Sequence, residues 1–359
     1  MAPTPEEERP VSTRQDPPAD PHSDPSVRAV APVPLPVPVQ ALLDDTRPTD
    51  TGAHLTPLLR ALVSGVASAS RVVALHPEDE ALPALVARCF DSALHELPLP
   101  HPIRFHGTPS ETHAETPAAD PSRIGLTLVP LEWRHGRARP RDAGPVGSIF
   151  GIWDTESQNS LRAALLLAGV AVYGGHTGLL LSVGGATHLL RMDPRDGGFQ
   201  LVRRDLKVPE RPNRFAFKTE ECRRWSQESL AFGRKHFLDP TLPFATAPDV
   251  RRVRCLSAEA YRIVQEGGLY LRPHPAGERN GGGHPLLAEA APIARILETA
   301  GGRACDGTSE LLDQPVPGAE RASGLVFGSS NLIAAFQESR NRDGEEMAPL
   351  FGRRGLFRS

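Results

Sequence analysis

The chain has 359 residues, a formal net charge of −3 and 37 prolines. This length is enough for one large domain or two smaller ones with a substantial core. The small net charge excludes broad attraction to nucleic acid or to an anionic membrane. No apolar run of spanning length and no signal-type N-terminus are apparent, which predicts a cytoplasmic protein. Its four scattered cysteines are expected to be free thiols in a reducing compartment.

Residues 1–50 are predicted to form a disordered, proline-rich leader. Eleven of the first forty residues are Pro, with Asp and Glu between them. Such a segment buries too little apolar surface to offset its ordering entropy. Residues 33–39 favour polyproline II. Two interpretations of the leader stay open, a docking ligand for a partner and a solvated tail.

Apolar residues at helical spacing predict two helices after the leader. The first begins at Leu55 with Pro57 in its first turn, and the second spans residues 81–94. A short strand follows at 103–105, and the apolar run from Leu126 enters a loop as a buried strand would.

The most informative stretch is 172–209, which predicts an antiparallel meander. Its strands are expected at 179–183, 187–192 and 199–202. Between them lie a Gly-Gly pair and Asp-Pro-Arg-Asp-Gly-Gly, and glycine permits the positive φ of tight turns. Strands alternate with helices over some 300 residues, which indicates an α/β fold.

Several of these segments resemble the class 1 fructose-1,6-bisphosphatase family. The matching motifs are GSIFGI at 147–152, DPRDGGF at 193–199, EGGLYLRP at 266–273, LLAEAAPIARILETAGGRACDG at 286–307 and LVFGS at 325–329. The resemblance implies a layered α/β/α sandwich of the sugar-phosphatase type. We predict an N-terminal half at 51–205, a C-terminal half at 206–340 and a tail at 341–359.

The family's metal-binding segment, D-P-L-D-G-S-S, is aligned with Val129 to Arg134. In the family the first Asp, the Leu carbonyl and the second Asp bind Mg²⁺, so the resemblance implies Leu131 and Glu132 as ligands here. Val129 offers no side-chain oxygen to a hard cation. Trp133 replaces a glycine whose backbone approaches phosphate closely.

Few of the family's other acids are matched. The aligned positions carry Pro83, Thr108 and Pro109, while Glu111 and Glu115 lie a little downstream. Glu289 matches a metal-binding acid, and the resemblance gives it a metal and catalytic role together with Glu132. The alternative is an acid at a helix start, which the helix dipole favours in any protein.

Three cations are implied as phosphate ligands. Lys218 replaces a sugar-binding Asn, and Arg251 aligns with an Arg that reaches a phosphate across a subunit interface. Arg134 opens a loop with four arginines, interpreted either as an anion site or as a solvated loop.

Two functions follow from the resemblance. The first is a catalytically impaired homologue that binds a sugar phosphate or pairs with an active paralogue, and a homo-oligomer is also expected. The alternative is an active Mg²⁺-dependent hydrolase that releases the 1-phosphate of fructose 1,6-bisphosphate or a related sugar bisphosphate. Loss of metal-binding acids favours the first.

Overall fold

A computed structural model of the chain describes eleven stretches, namely residues 50–77, 80–95, 97, 103–105, 124–132, 144–157, 159–211, 213–238, 248–274, 283–318 and 321–351. The predicted leader therefore lies outside the described residues, apart from its last position. The same is true of Thr108, Pro109, Glu111, Glu115, Trp133 and Arg134.

The first two layers of the fold are a helix pair and a large sheet. Helices α1 (Asp50–Leu75) and α2 (Leu82–His95) contact each other along their apolar faces. Leu58, Leu62 and Phe90 are fully buried between the pair and the sheet. Burial of several such side chains contributes roughly 1.5–3 kcal/mol each.

The large sheet has seven strands in chain order. They are β1 (Ile103–Phe105), β2 (Ile124–Val129), β3 (Val146–Asp154), β4 (Leu165–Tyr173), β5 (Gly178–Val183), β6 (Ala186–Met192) and β7 (Phe199–Arg203). Strands β2 to β7 pair antiparallel with their neighbours, which confirms the predicted meander. Neighbouring positions of β3 face different layers: Phe150 packs towards the helix pair, and Ile149 packs towards the next helices.

The middle layer consists of two helices. They are α5 (Leu256–Glu266) and α6 (Ala291–Thr299), and a π-helical turn at Leu286–Ala290 leads directly into α6. Both helices contact β4 of the large sheet, and α6 also contacts the second sheet. The core between the sheets is therefore built on this helix pair.

The second sheet has five strands, which are β8 (Arg214–Phe217), β9 (Asp249–Arg252), β10 (Leu269–Arg272), β12 (Arg303–Cys305) and β14 (Leu325–Gly328). Their order in the sheet is β12-β14-β10-β8-β9. Strands β8, β9 and β10 are parallel to one another. A small two-stranded sheet joins β11 (His284–Pro285) to β13 (Ala322–Ser323).

An outer helical layer covers the second sheet. It contains α4 (Gln227–Gly233) and α7 (Ser330–Phe351), while α3 (Leu161–Ala164) is a single turn before β4. Phe215, Phe232 and Phe336 are fully buried in this third core. The layering is thus α/β/α/β/α, so the predicted α/β/α sandwich is confirmed and continues into two further layers.

Two local predictions need correction. Helix α1 begins at Asp50, so Pro57 lies inside the helix and not in its first turn. The 21-residue segment Leu55–Leu75 is long and apolar enough to cross a membrane, contrary to the sequence prediction. Most of this segment is buried by its neighbours, as expected for a core helix of a folded protein.

Candidate functional site

Three cationic side chains lie at the carboxyl ends of the parallel strands of the second sheet. Phe217 of β8 pairs in register with Leu271 of β10 and with Arg252 of β9. Lys218 and Arg272 are the next residues after Phe217 and Leu271, so both stand at the carboxyl ends of adjacent parallel strands. Such strand ends are where α/β folds place their ligands. We call Lys218, Arg252 and Arg272 the strand-end cations.

Two neighbouring glutamates, Glu220 and Glu221, lie on a 3₁₀ helix at Thr219–Arg224 and pair with these cations. The Glu221 carboxylate lies 2.8 Å from Arg272 Nε and 4.0 Å from Lys218 Nζ. Glu220 lies 3.2 Å from Arg252 Nη2 in a more exposed pair. Hydrogen bonds to its own backbone and to Arg252 lower the pKa of Glu220. The site therefore holds cations already matched by carboxylates of the same chain.

Arg272 continues this network towards Glu289. Its Nη1 donates to the Gly283 carbonyl at 3.1 Å and lies 3.3 Å from His284 Nε2. Tyr270 also reaches His284 Nε2, at 2.9 Å, and the other ring nitrogen lies 2.6 Å from Glu289 Oε2. These contacts are all satisfied when Nδ1 carries the hydrogen and donates it to Glu289. The buried imidazole thus fixes the orientation of the Glu289 carboxylate.

Glu132 is engaged at the N-terminus of α5. Its carboxylate accepts the backbone N–H groups of Leu256 at 2.5 Å and Ser257 at 2.8 Å. The Ser257 hydroxyl also donates to it at 2.8 Å, and the Cys255 thiol lies at 3.4 Å. A carboxylate at this place satisfies N–H groups without a partner inside the helix and complements the helix dipole.

Serine is a residue type favoured at helix N-caps, and Ser257 precedes a helical run in the sequence, but it is not the N-cap of α5. The cap position belongs to Cys255, whose side chain makes no capping hydrogen bond. Glu132 supplies the missing acceptor from a distant part of the chain. This correction could not come from local sequence rules, which consider only side chains close to the helix start.

The backbone around Glu132 is held by β3. The Glu132 N–H donates to the Gly147 carbonyl at 2.7 Å, and the Ser148 hydroxyl donates to the Pro130 carbonyl at 2.5 Å. Leu131, between them, is buried in the core beside the first helix pair. These bonds fix residues 130–132 in one conformation, with the Glu132 side chain directed at α5.

The described residues do not fit a family-type Mg²⁺ site. In the part of the chain that the structure describes, His, Cys, Asp and Glu side chains form no group of three or more that could hold a metal ion. Val129 and Pro83, at two of the family's acid positions, are buried among apolar side chains. Glu132 already accepts several hydrogen bonds, and Glu289 is bonded to His284.

The remaining predicted ligands are distributed around the strand-end edge. Lys218 lies in it, with a side chain only 15% exposed. Arg251 is on β9, exposed, 3.5 Å from the Asp249 carboxylate. Arg134 lies outside the described residues. The sequence reading missed Glu221 and His284; their only signals were an acid three residues after Lys218 and a histidine directly after a glycine run.

A separate cavity of about 230 Å³ opens beside β2, near the indole of Trp153. Trp153 Nε1 donates to Thr127 Oγ1 at 2.9 Å, and Thr127 donates to the Leu287 carbonyl at 3.1 Å. The residues that line it include neither the strand-end cations nor Glu289. We therefore base the site on the charged groups at the strand ends.

The fold is similar to that of solved fructose-1,6-bisphosphatases. A structure of the Leishmania major enzyme in holo form superposes with a TM-score of 0.71 at 20% identity, covering 84% of this chain and 98% of that one. The same enzyme in its T-state gives 0.72 with the same coverage. At this identity the likeness establishes the fold.

Sequence comparison identifies the family. A family model described as "Fructose-1-6-bisphosphatase, C-terminal domain" matches residues 208–341. A class 1 fructose-1,6-bisphosphatase of Bradyrhizobium sp. is 31% identical over 265 residues, 72% of this chain and 77% of the relative. One from Methylibium petroleiphilum is 34% identical over 230 residues, 59% of this chain and 63% of that relative, which is under two thirds of its length. The chain belongs to the class 1 fructose-1,6-bisphosphatase family.

Proposed function

We propose that this family member binds a sugar phosphate at the strand-end cations and lacks efficient Mg²⁺-dependent phosphatase activity. The observation that carries the proposal is the engagement of Glu132 by the N-terminus of α5. Metal-assisted phosphoryl transfer needs several carboxylates converging on the ions. One aligned carboxylate is already hydrogen-bonded as a cap, and Val129 replaces another.

The cations support the binding part of the proposal. Lys218 and Arg272 stand side by side at strand ends, and Arg251 and Arg252 follow on the neighbouring strand. Arginine forks and lysine ammonium groups are the side chains that bind phosphate in proteins. The proposed ligand is a phosphorylated sugar, as in the family.

The test combines binding with turnover. Calorimetry should detect binding of fructose 1,6-bisphosphate, while phosphate release with Mg²⁺ or Mn²⁺ should not exceed that of Glu289→Gln. Release from a panel of sugar mono- and bisphosphates that Glu289→Gln abolishes would instead establish the active hydrolase. Absence of sugar-phosphate binding by a folded sample would refute the binding proposal.

We further propose a cytoplasmic protein that associates with itself or with an active paralogue. The support is family membership together with an Arg251 side chain that is 47% exposed. Light scattering after size exclusion should give a mass above one chain of 38.7 kDa. A monomer at all concentrations, with no complex on mixing with the paralogue, would exclude both assemblies.

A further inference from the structure

We infer that Glu221 is an internal anion that occupies the cation pair Lys218 and Arg272 and so limits the affinity of this site for phosphate. The inference rests on the proposed function, since it concerns the same cations. It assigns to Glu221 a role that sets affinity: a ligand phosphate must displace a carboxylate of the protein itself.

Glu221 and a ligand phosphate would use the same donor on Arg272. Glu221 lies between the two cations, with one oxygen 2.8 Å from Arg272 Nε and the other 4.0 Å from Lys218 Nζ. Carboxylate and phosphate oxygens use the same guanidinium donors. A phosphate group cannot take the Arg272 Nε hydrogen while Glu221 holds it, so the two anions compete for one position.

Glu221 and the two cations beside it are mostly buried. The exposed fractions of the side chains are 15% for Lys218, 25% for Glu221 and 16% for Arg272. Water screens charges weakly at such positions, so the Arg272 guanidinium would attract another anion strongly if the Glu221 charge beside it were removed. Removing the Glu221 charge should therefore increase the affinity of this site for phosphate.

Arg272 does not depend on Glu221 for its position. Its Nη1 is bonded to the Gly283 carbonyl and contacts His284, which in turn is bonded to Tyr270. The guanidinium is thus held from its other side when Glu221 moves or is neutralised. A site that keeps its donor in place loses little affinity to reorganisation.

The neighbouring glutamate provides a matched control. Glu220 lies on the same 3₁₀ helix and pairs with Arg252, but both side chains are largely exposed, at 58% and 63%. An exposed pair contributes little, because water and salt screen it. Neutralising Glu220 changes the net charge by the same amount and leaves Arg272 paired with Glu221.

The experiment measures the affinity of inorganic phosphate and of fructose 1,6-bisphosphate by calorimetry at low, fixed ionic strength. Glu221→Gln should bind both probes at least about tenfold more tightly than the unaltered chain, a change of about 1.4 kcal/mol. Glu220→Gln should stay within about twofold. The double variant with Glu221→Gln and Lys218→Ala should lose this increase in affinity.

Two failures can be told apart. If the unaltered chain binds fructose 1,6-bisphosphate and Glu221→Gln binds it no more tightly, the inference about Glu221 is overturned and the proposed function stands. If neither protein binds any phosphate probe, the proposed function itself is overturned. Should Glu221→Gln not fold, Glu221→Asp retracts the carboxylate by one methylene and is expected to give a smaller gain in the same direction.

Discussion

The carboxylate of Glu132 accepts both the backbone N–H and the hydroxyl hydrogen of Ser257, each at 2.8 Å. The two residues connect the end of β2 to the start of α5, and so connect the large sheet to the middle helical layer. An acid that the family resemblance assigns to metal binding is here bonded to a helix terminus. The consequences for stability can be measured directly.

Replacing Glu132 by Ala should lower the free energy of unfolding by about 2–3 kcal/mol. The change removes the acceptor for two backbone N–H groups at a helix start, and charge-assisted hydrogen bonds contribute roughly 1.5–3 kcal/mol. Urea unfolding followed by circular dichroism gives the difference. Ser257→Ala removes only the hydroxyl donor and should cost about 1 kcal/mol.

A metal-binding role for Glu132 predicts a different effect of Mg²⁺ on stability. If Glu132 binds Mg²⁺, saturating Mg²⁺ would stabilise the unaltered chain and not Glu132→Ala, because a ligand stabilises the state that binds it. If Glu132 is a cap, the difference between the two proteins is the same with and without Mg²⁺. A stability gap that appears only with the metal would contradict the capping interpretation.

Much of the fold could be predicted because its signals are local. The strands expected at 179–183 and 187–192 are observed at Gly178–Val183 and Ala186–Met192. The turn between them has φ of 62° at Gly184 and 77° at Gly185, conformations that glycine adopts readily. Alternation, apolar spacing and turn chemistry act within a few residues, so they can be read from a sequence.

The site was less predictable because its contacts are long-range. Glu132 and Ser257 are 125 positions apart, and no local pattern joins them. The sequence also predicted that Glu289 stands at a helix start, and it lies in the π-helical turn Leu286–Ala290 that precedes α6. Pro292 near the start of α6 has no N–H to donate into that turn. Whether Glu132 and Glu289 act in catalysis stays a prediction.

Gly147→Ala should destabilise the fold by about 3 kcal/mol, because a Cβ has no space there. It would lie 2.3 Å from Ser257 Oγ and 2.4 Å from the Ala171 carbonyl oxygen. The same substitution at Gly175, where a Cβ would meet nothing within 4 Å, is the control. It should change stability by less than about 0.5 kcal/mol. Equal urea midpoints for the two variants would disprove close packing of β3 against α5.

Stability should fall as the pH drops below about 6.5, the ordinary pKa of histidine. Burial lowers the pKa of His188 in the folded state, so the unfolded chain takes up the proton first. His188 Nδ1 accepts the Asp205 N–H at 3.3 Å, and Nε2 lies 3.3 Å from the Val183 carbonyl. A proton on Nδ1 would face the Asp205 N–H and break that bond.

Urea midpoints between pH 7.5 and 5.5 test this prediction, because the contribution of a neutral His188 is complete above its unfolded pKa and is lost below it. His188→Gln cannot take up a proton in this range, so the stability of that variant should fall less steeply as the pH decreases. Burial also lowers the pKa of His236 and His274, so a residual slope is expected in that variant. An unchanged slope would exclude His188 as a contributor.

Alkaline solution should destabilise the protein through its thiols. Burial raises the pKa of Cys222 to about 11 and that of Cys305 to about 12. A thiol with a raised folded pKa contributes fully below its unfolded value of about 9, and this contribution is lost as the pH rises towards the folded value. For the fully buried Cys305 thiol, the free energy of unfolding falls by about 1.4 kcal/mol per pH unit in that interval.

Cys305→Ala isolates one of these groups, since Cys305 is fully buried in the third core. The variant should be less stable than the unaltered chain at pH 8, because it loses the packing of the sulfur atom. Its stability should then fall less steeply between pH 9 and 10.5, by about 1.4 kcal/mol per pH unit. Parallel curves for the two proteins would mean that the Cys305 thiol deprotonates as readily in the folded chain as in the unfolded one.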